Sequence, residues 1–334
     1  MRVARVLISG LLTALCSFPA AGQTRYEEGL KAARSGDMAT AMREFRAAME
    51  AGDSRGAGGL AILHANGWGT EQNPREALRL ARIGGDAGDV SAMNLAAEIL
   101  IRGQGVPRDI AGARDWAKRS AAKGDATGQF LVYQALMFDP QNVPYQDGKP
   151  VSDQRYFEMA KRTLSERQEE ILAHESLARA ADQMQLSALS ALLGYYADKI
   201  GPSNHAKGAE LLARVPNLRD PINYGKWLQQ MRELGNTRAS PATVRNAQLS
   251  ARQVVAVKAK ADCKDIRLQK LEVSSDIRSP KFLPLEHPSL KDTYLIAGDW
   301  DEVWTYSACG TPVALNATFG ADGFSGAHFA FKAR

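Results

Sequence analysis

Residues 298–310, "GDWDEVWTYSACG", set Trp300, Glu302 and Trp304 at alternate positions. In a strand such residues share one face, with Asp301, Val303 and Thr305 on the other. Two indoles flanking a carboxylate could hold a sugar, a peptide or a cation. The same alternation equally suits the hydrophobic layer of a small sheet, with Glu302 satisfied by a neighbour. The sequence leaves both readings of this possible site open.

The other chemistry-bearing side chains form no recognisable constellation. His64 falls on an apolar helical stripe and reads as packed; His174 lies in a long charged helix and reads as solvated. His205 sits in the loop "GPSNH", His287 precedes a proline and His328 lies in the last strand. Zinc could be drawn between Cys263, Cys309, His287 and His328, but that set has no C-x-x-C or H-x-x-x-H spacing. In an oxidising compartment the even pair Cys263 and Cys309 is better read as a disulfide. The chain has no G-x-S-x-G elbow, H-E-x-x-H helix or phosphate loop. No catalytic residue, metal site or cofactor is therefore expected. The glycine-rich "GAGGL" at Gly56 falls inside a helical stretch and suits close helix packing.

Charge and the N-terminus narrow the setting. "MRVARVLISGLLTALCSFPAAGQ" has two arginines, an apolar run from Val6 to Leu15 and then small residues, the pattern of a secretory signal peptide. Cleavage is expected after Gly22, so 1–22 form the leader. Cys16 follows Leu15, too large for a lipid-attachment site, and is discarded with it. The apolar run is too short for a membrane anchor, so no membrane insertion is expected after cleavage. Without Arg2 and Arg5 the formal charge of +5 falls to +3, 40 basic residues against 37 acidic. The charges are interspersed, with no dense basic run, which argues against nucleic acid. A periplasmic or secreted protein is expected.

The elements that would carry these residues come from a repeat. At a shift of 36 residues Gly67 falls on Gly103, Gly69 on Gly105, Ala77 on Ala113, Ala81 on Ala117, and Gly88-Asp89 on Gly124-Asp125. Ala57, Leu60, Ala61 and His64 make one helical stripe, matched by Met93, Ala96, Ala97 and Leu100. Ala77, Leu80 and Ala81, matched by Ala113, Trp116 and Ala117, make a second. Two helices at a fixed period describe an α-solenoid. Within "IRGQGVPRD", Gly103 can end the first helix in the left-handed conformation, Pro107 blocks continuation and Asp109 can cap the second helix.

The "GxG" turn, alanine stripe and closing "A-x-x-G-D" over 54–125 resemble the Sel1-like repeat family, relatives of the tetratricopeptide repeats. Residues 24–53 read as a capping helix pair in the tetratricopeptide style. A third unit begins at Ala126, but "FDPQNVPYQDGKPVSDQ" replaces its glycine turn with a long loop. A helical stretch over about 153–183, a degenerate unit and closing helices over 221–234 and 241–261 follow. After Lys260 the pattern alternates: "IRLQKLEV", "DEVWTYSAC", "PVALNATF" and "AHFAFKA" read as strands, with "GADGFSG" as a hairpin turn. The fold is thus mainly α: a solenoid over 23–261, then a small antiparallel β domain with one disulfide over 262–334. That last module resembles no family we can name.

The resemblance implies a non-catalytic scaffold or adaptor in the cell envelope, binding a protein or peptide on a concave face lined by first helices. Beside the core stripe, Asn94, Glu98 and Arg102 recur at four-residue spacing. The same offsets give Ile62 and Asn66 before them, and Phe130, Gln134 and Phe138 after. These eight residues are the expected partner-binding ladder, unless Phe130 and Phe138 instead pack against the insertion over 139–154. Two alternatives remain: a ligand- or wall-polymer-binding β domain carried on a solenoid arm, and a secreted hydrolase. Cysteine-rich secreted relatives with a disulfide in each repeat have been linked to β-lactam binding, and this solenoid has no cysteine.

Overall fold

A computed structural model describes residues 20–139, 145–146, 149–150, 153–220, 222–259, 262–324 and 326–334. The expected leader, Cys16 included, lies outside the described residues apart from its last three. The chain divides into two compact units, Met1–Arg108 and Asp109–Arg334.

The first unit is built of paired helices: α1 (Ala20–Arg34) and α2 (Met38–Glu50), α3 (Arg55–Asn66) and α4 (Pro74–Asp86), then α5 (Val90–Arg102). The expected stripes are its core. Ala57, Leu60 and Ala61 of α3, Ala77, Leu80 and Ala81 of α4, and Met93, Ala96, Ala97 and Leu100 of α5 are all buried, and His64 is half-buried. Asp37, Asn73 and Asp89 cap α2, α4 and α5 by accepting backbone N–H groups of the first turn.

The two "GxG" turns do more than stop a helix. Gly67 and Gly103 take left-handed φ values of 71° and 65° at the ends of α3 and α5. The second glycine of each turn lies against the first residue of an earlier helix. A Cβ on Gly69 would come within 2.7 Å of Met38, and one on Gly105 within 2.9 Å of Pro74. Met38 and Pro74 are 36 residues apart, as are Gly69 and Gly105. The sequence period is therefore also the period of the contact that docks one helix pair on the next.

The second unit opens with α6 (Ile110–Ala121) and α7 (Ala126–Met137), capped by Asp109 and Asp125. Where the long loop was expected, a two-residue pairing, β1 (Tyr145–Gln146) with β2 (Lys149–Pro150), is described, followed by α8 (Asp153–Ala160). The helical stretch expected over 153–183 is broken between α8 and α9 (Gln168–Asp182), with a short 3-10 turn at Ser165–Arg167. Then come α10 (Leu186–Asp198), α11 (Asn204–Arg214), α12 (Tyr224–Leu234) and α13 (Pro241–Lys258).

Five strands complete the chain: β3 (Ile266–Val273), β4 (Arg278–Phe282), β5 (Leu295–Ala308), β6 (Thr311–Ala321) and β7 (Ala327–Ala333). They form an antiparallel sheet in the order β3-β5-β6-β7, with β4 also on β5. The alternation of the sequence reading missed β4, whose residues are mostly exposed. Trp304 sits opposite Leu271 of β3 and Leu315 of β6. On this face Val244, Ala247, Ala251 and Val255, a stripe along α13, pack over Trp300, Trp304, Tyr306 and Phe319. The sheet thus shares a core with helices that precede it, across the expected boundary at 261/262.

The β5–β6 hairpin turns on Cys309 and Gly310, whose φ values are 49° and 84°. Two successive positive φ angles suit the two-residue turn that matches strand twist. Cys309 is bonded to Cys263, with Cα atoms 5.8 Å apart. The bridge closes 46 residues of chain between α13 and the hairpin tip. Chain-entropy arguments put its contribution at roughly 3–4 kcal/mol. Cys309→Ser should lower the urea unfolding free energy by about that amount, and a reductant that destabilises the wild type should leave the variant unchanged. A variant as stable as the oxidised wild type contradicts this account.

Candidate functional site

The expected ladder divides between the two units. In the first, Asn66 and Arg102 are exposed, and Ile62, Asn94 and Glu98 are half-buried. Glu98 and Arg102 pair one turn apart at 3.7 Å, and the Asn66 side-chain amide donates to the Ile62 carbonyl at 2.9 Å. α3 and α5 are in contact, so these residues lie on neighbouring first helices. In the second unit Phe138 is exposed and Gln134 half-buried. Phe130 is a correction: it is 9% exposed and belongs to the core beneath α9 and α10, with its ring stacked on Tyr133. The four-residue spacing placed it on the wrong side because α7 is apolar nearly all round. The insertion expected to cover Phe130 and Phe138 lies largely outside the described residues.

As a surface site, the tryptophan pair is also corrected. Trp300, Glu302 and Trp304 are fully buried. The Trp300 indole N–H donates to Glu302 Oε1 at 2.9 Å and the Trp304 indole N–H to Oε2 at 2.8 Å. Thr237 Oγ1 and the Arg238 backbone N–H donate to Oε1 at 3.0 and 2.9 Å. Four donors occupy the carboxylate, and Trp300 stacks on Phe319. Of the set once drawn for zinc, the disulfide takes both sulfurs. His287 is held between Asp182 and Ser289, and His328 is exposed on β7.

The second unit holds a cleft of about 1110 Å³ that sequence reading did not find. One wall is a single face of α10: Ser187, Ser190, Ala191, Gly194 and Asp198 recur at helical spacing along it. Facing groups come from the start of α13 (Ser240, Thr243, Asn246), the β6–β7 turn (Phe324) and β7 (Phe329). Tyr133, Leu136 and Met137 of α7 and Glu170 and His174 of α9 also line it. Gly194 is the telling residue. It lies inside a regular helix, where glycine costs roughly 0.5–1 kcal/mol relative to alanine. Yet a Cβ there would meet nothing within 4 Å.

His174, expected in solvent, is 3% exposed. Its imidazole packs edge-on against Tyr195 and Tyr294, with ring centroids 5.0 and 5.8 Å away. Burial, then the positive charges of Lys199 and Arg167, hold its pKa well below the ordinary histidine value. Its Nδ1 has no hydrogen-bond partner among the described residues. Arg167, also buried, donates to Glu170 at 2.9 Å, to the Tyr294 hydroxyl at 3.3 Å and to the Gly323 carbonyl at 2.7 Å. Lys199 pairs with Asp198 at 3.0 Å and lies 4.5 Å from the Tyr294 ring centre. Burial raises the pKa of Tyr133 and Tyr195. Near neutrality the floor therefore offers uncharged imidazole and phenol groups, suited to hydrogen bonding.

A family model described as Sel1 repeat matches residues 55–89 and 90–125. No curated protein matches the chain. Among solved structures, the chain is similar to a Sel1 repeat protein from Oxalobacter formigenes: TM-score 0.40, 19% identity, over 66% of this chain and 73% of that one. It is also similar to a protective antigen of uropathogenic Escherichia coli strains displaying an SLR fold, with TM-score 0.35 and 19% identity. That second match covers 58% of this chain and 45% of the other, less than half its length.

The buried imidazoles set a pH dependence. His205, between the Tyr224 hydroxyl and the Ala239 carbonyl at 2.9 and 3.3 Å, is pushed down by burial to about 4. A histidine depressed on folding stabilises the native state fully above its unfolded pKa, about 6.5. That stability is lost as pH falls towards the folded value, because the unfolded chain takes the proton first. Urea stability should fall between pH 6.5 and about 4 by as much as ~1.4 kcal/mol per unit for each of His174 and His205. His174→Phe should flatten the slope; equal slopes for variant and wild type would count against a neutral buried His174.

Proposed function

From a chain that carries two Sel1 repeats, we propose a non-catalytic scaffold or adaptor of the cell envelope that binds a protein or peptide through its first helices. The observation that carries this reading is the strip on α3 and α5 beside the core stripe: Ile62 and Asn66 on one helix, Asn94, Glu98 and Arg102 on the next. An aliphatic side chain among amides and paired opposite charges suits an amphipathic or extended peptide better than a polyanion. Gln134, half-buried on α7, and Phe138, exposed at its C-terminal end, belong to the same proposal. Among the described residues no helix is long and apolar enough to cross a membrane. The disulfide supports an oxidising compartment, periplasmic or extracellular.

Site-specific photocrosslinking in an envelope extract tests the reading. A benzophenone side chain at Asn66, on the strip, should give a discrete adduct. One at Arg82, exposed on the second helix of that pair, should not. Glu98→Arg should abolish the adduct while leaving stability within about ±0.5 kcal/mol, as for other surface substitutions outside the core. Equal crosslinking from both positions, or an adduct that survives Glu98→Arg, rules the strip out.

A further inference from the structure

We propose that the cleft along α10 is a second binding site, made for an extended peptide segment of about five residues whose main chain lies over Gly194. Ser187 to Asp198 spans eleven helical steps, about 16 Å of groove. An extended chain rises about 3.3 Å per residue, so that length matches about five residues. The missing side chain at Gly194 leaves room for a close-lying main chain at the middle of the groove.

The lining chemistry selects the class of ligand. Both helical walls offer small neutral hydrogen-bonding groups, Ser187 and Ser190 on α10 against Thr243 and Asn246 on α13. A peptide presents N–H and C=O groups at every residue and can satisfy donors and acceptors on two sides at once. His174 supplies the independent sign of a ligand: it lines the cleft, is 3% exposed, and its Nδ1 has no partner among the described residues. A buried polar atom left so is costly, and a peptide N–H would relieve the cost. Arg162, Lys199 and Arg219 are balanced in the lining by Glu170, Asp198 and Asp322, which disfavours a polyanion. An acyl chain would fill the volume but leave the Ser187 and Ser190 hydroxyls, the Asn246 amide and the imidazole nitrogen without partners. The site lies in the second unit, outside the strip on α3 and α5, and stands independently of it.

The test pans a random pentapeptide display library against the full chain. The enriched sequence is then made as an acetylated, amidated fluorescent peptide and followed by anisotropy, with dodecanoate as a parallel probe. We expect one sequence family to enrich, and Gly194→Leu, which fills the groove, to weaken its binding by at least about tenfold. Leucine is the better helix former, so this variant should melt no lower than the wild type. His174→Phe keeps the ring packing and removes the unpartnered nitrogen; it should weaken the peptide several-fold without loss of stability. Glu98→Arg should leave peptide binding unchanged, which separates this site from the strip on the first helices. The proposal is overturned if no sequence enriches on the wild type over Gly194→Leu, or if the enriched peptide binds both equally. Dodecanoate binding that depends on Gly194, with no peptide binding, overturns it in favour of an acyl chain.

Discussion

The Glu302 carboxylate is the point on which the second unit turns. It is fully buried on the middle of the longest strand, and its donors come from two places. The indoles two residues to either side fix it within β5, while Thr237 and the Arg238 backbone reach it from the segment that leads into α13. A buried carboxylate without such donors would be strongly unfavourable, so the segment before α13 has one position relative to the sheet. From there α13 runs over the tryptophans, and its first turn forms part of the cleft wall. One acidic side chain thus sets both the packing of the sheet and the distance between two sides of the groove.

Apolar anchors hold the opposite wall. The segment from Leu283 to Tyr294 leaves the sheet and buries Leu283, Leu285, Leu290 and Tyr294 among α9, α10 and α11. Glu175 of α9 receives the backbone N–H groups of Glu286 and His287 at 2.7 and 3.1 Å, and Tyr195 of α10 meets Thr293 at 2.8 Å. Helices and sheet in this unit are therefore joined by buried polar contacts at both ends. The cleft takes its lining from the edges of both cores, Ala191 and Tyr195 among the helices and Ala327 and Phe329 at the sheet.

What was legible in the sequence follows from how local its physical cause is. The 36-residue period, the left-handed glycines, the capping aspartates and the core stripes of α3 to α5 depend on neighbours in sequence, and the structure has them. The Cys263–Cys309 pair could be read because residues 23–334 hold no competing cysteine. The alternation of Trp300, Glu302 and Trp304 was visible, but burial decides its meaning, and burial depends on α13. His174 was misplaced because Glu169, Glu170 and Arg179 around it look like a solvated helix, whereas Arg167 and Glu170 satisfy each other at the core edge. The cleft gathers residues from 133 to 329, and no regular spacing joins its α10 wall to the groups that face it. Its one local signal was a glycine in the middle of "LSALSALLGYYAD".

The seat of each "GxG" turn bears on how such a chain can change by descent. Because Gly105 rests on Pro74 as Gly69 rests on Met38, the repeat over 55–89 carries both the knob for one neighbour and the socket for the next. A replication slip that copies or drops one whole repeat leaves each remaining knob facing a socket of the right shape. A slip of any other length unseats every turn downstream. Inheritance can thus lengthen or shorten this part of the molecule in whole steps, while the sheet, tied by one disulfide and one carboxylate, offers no comparable increment.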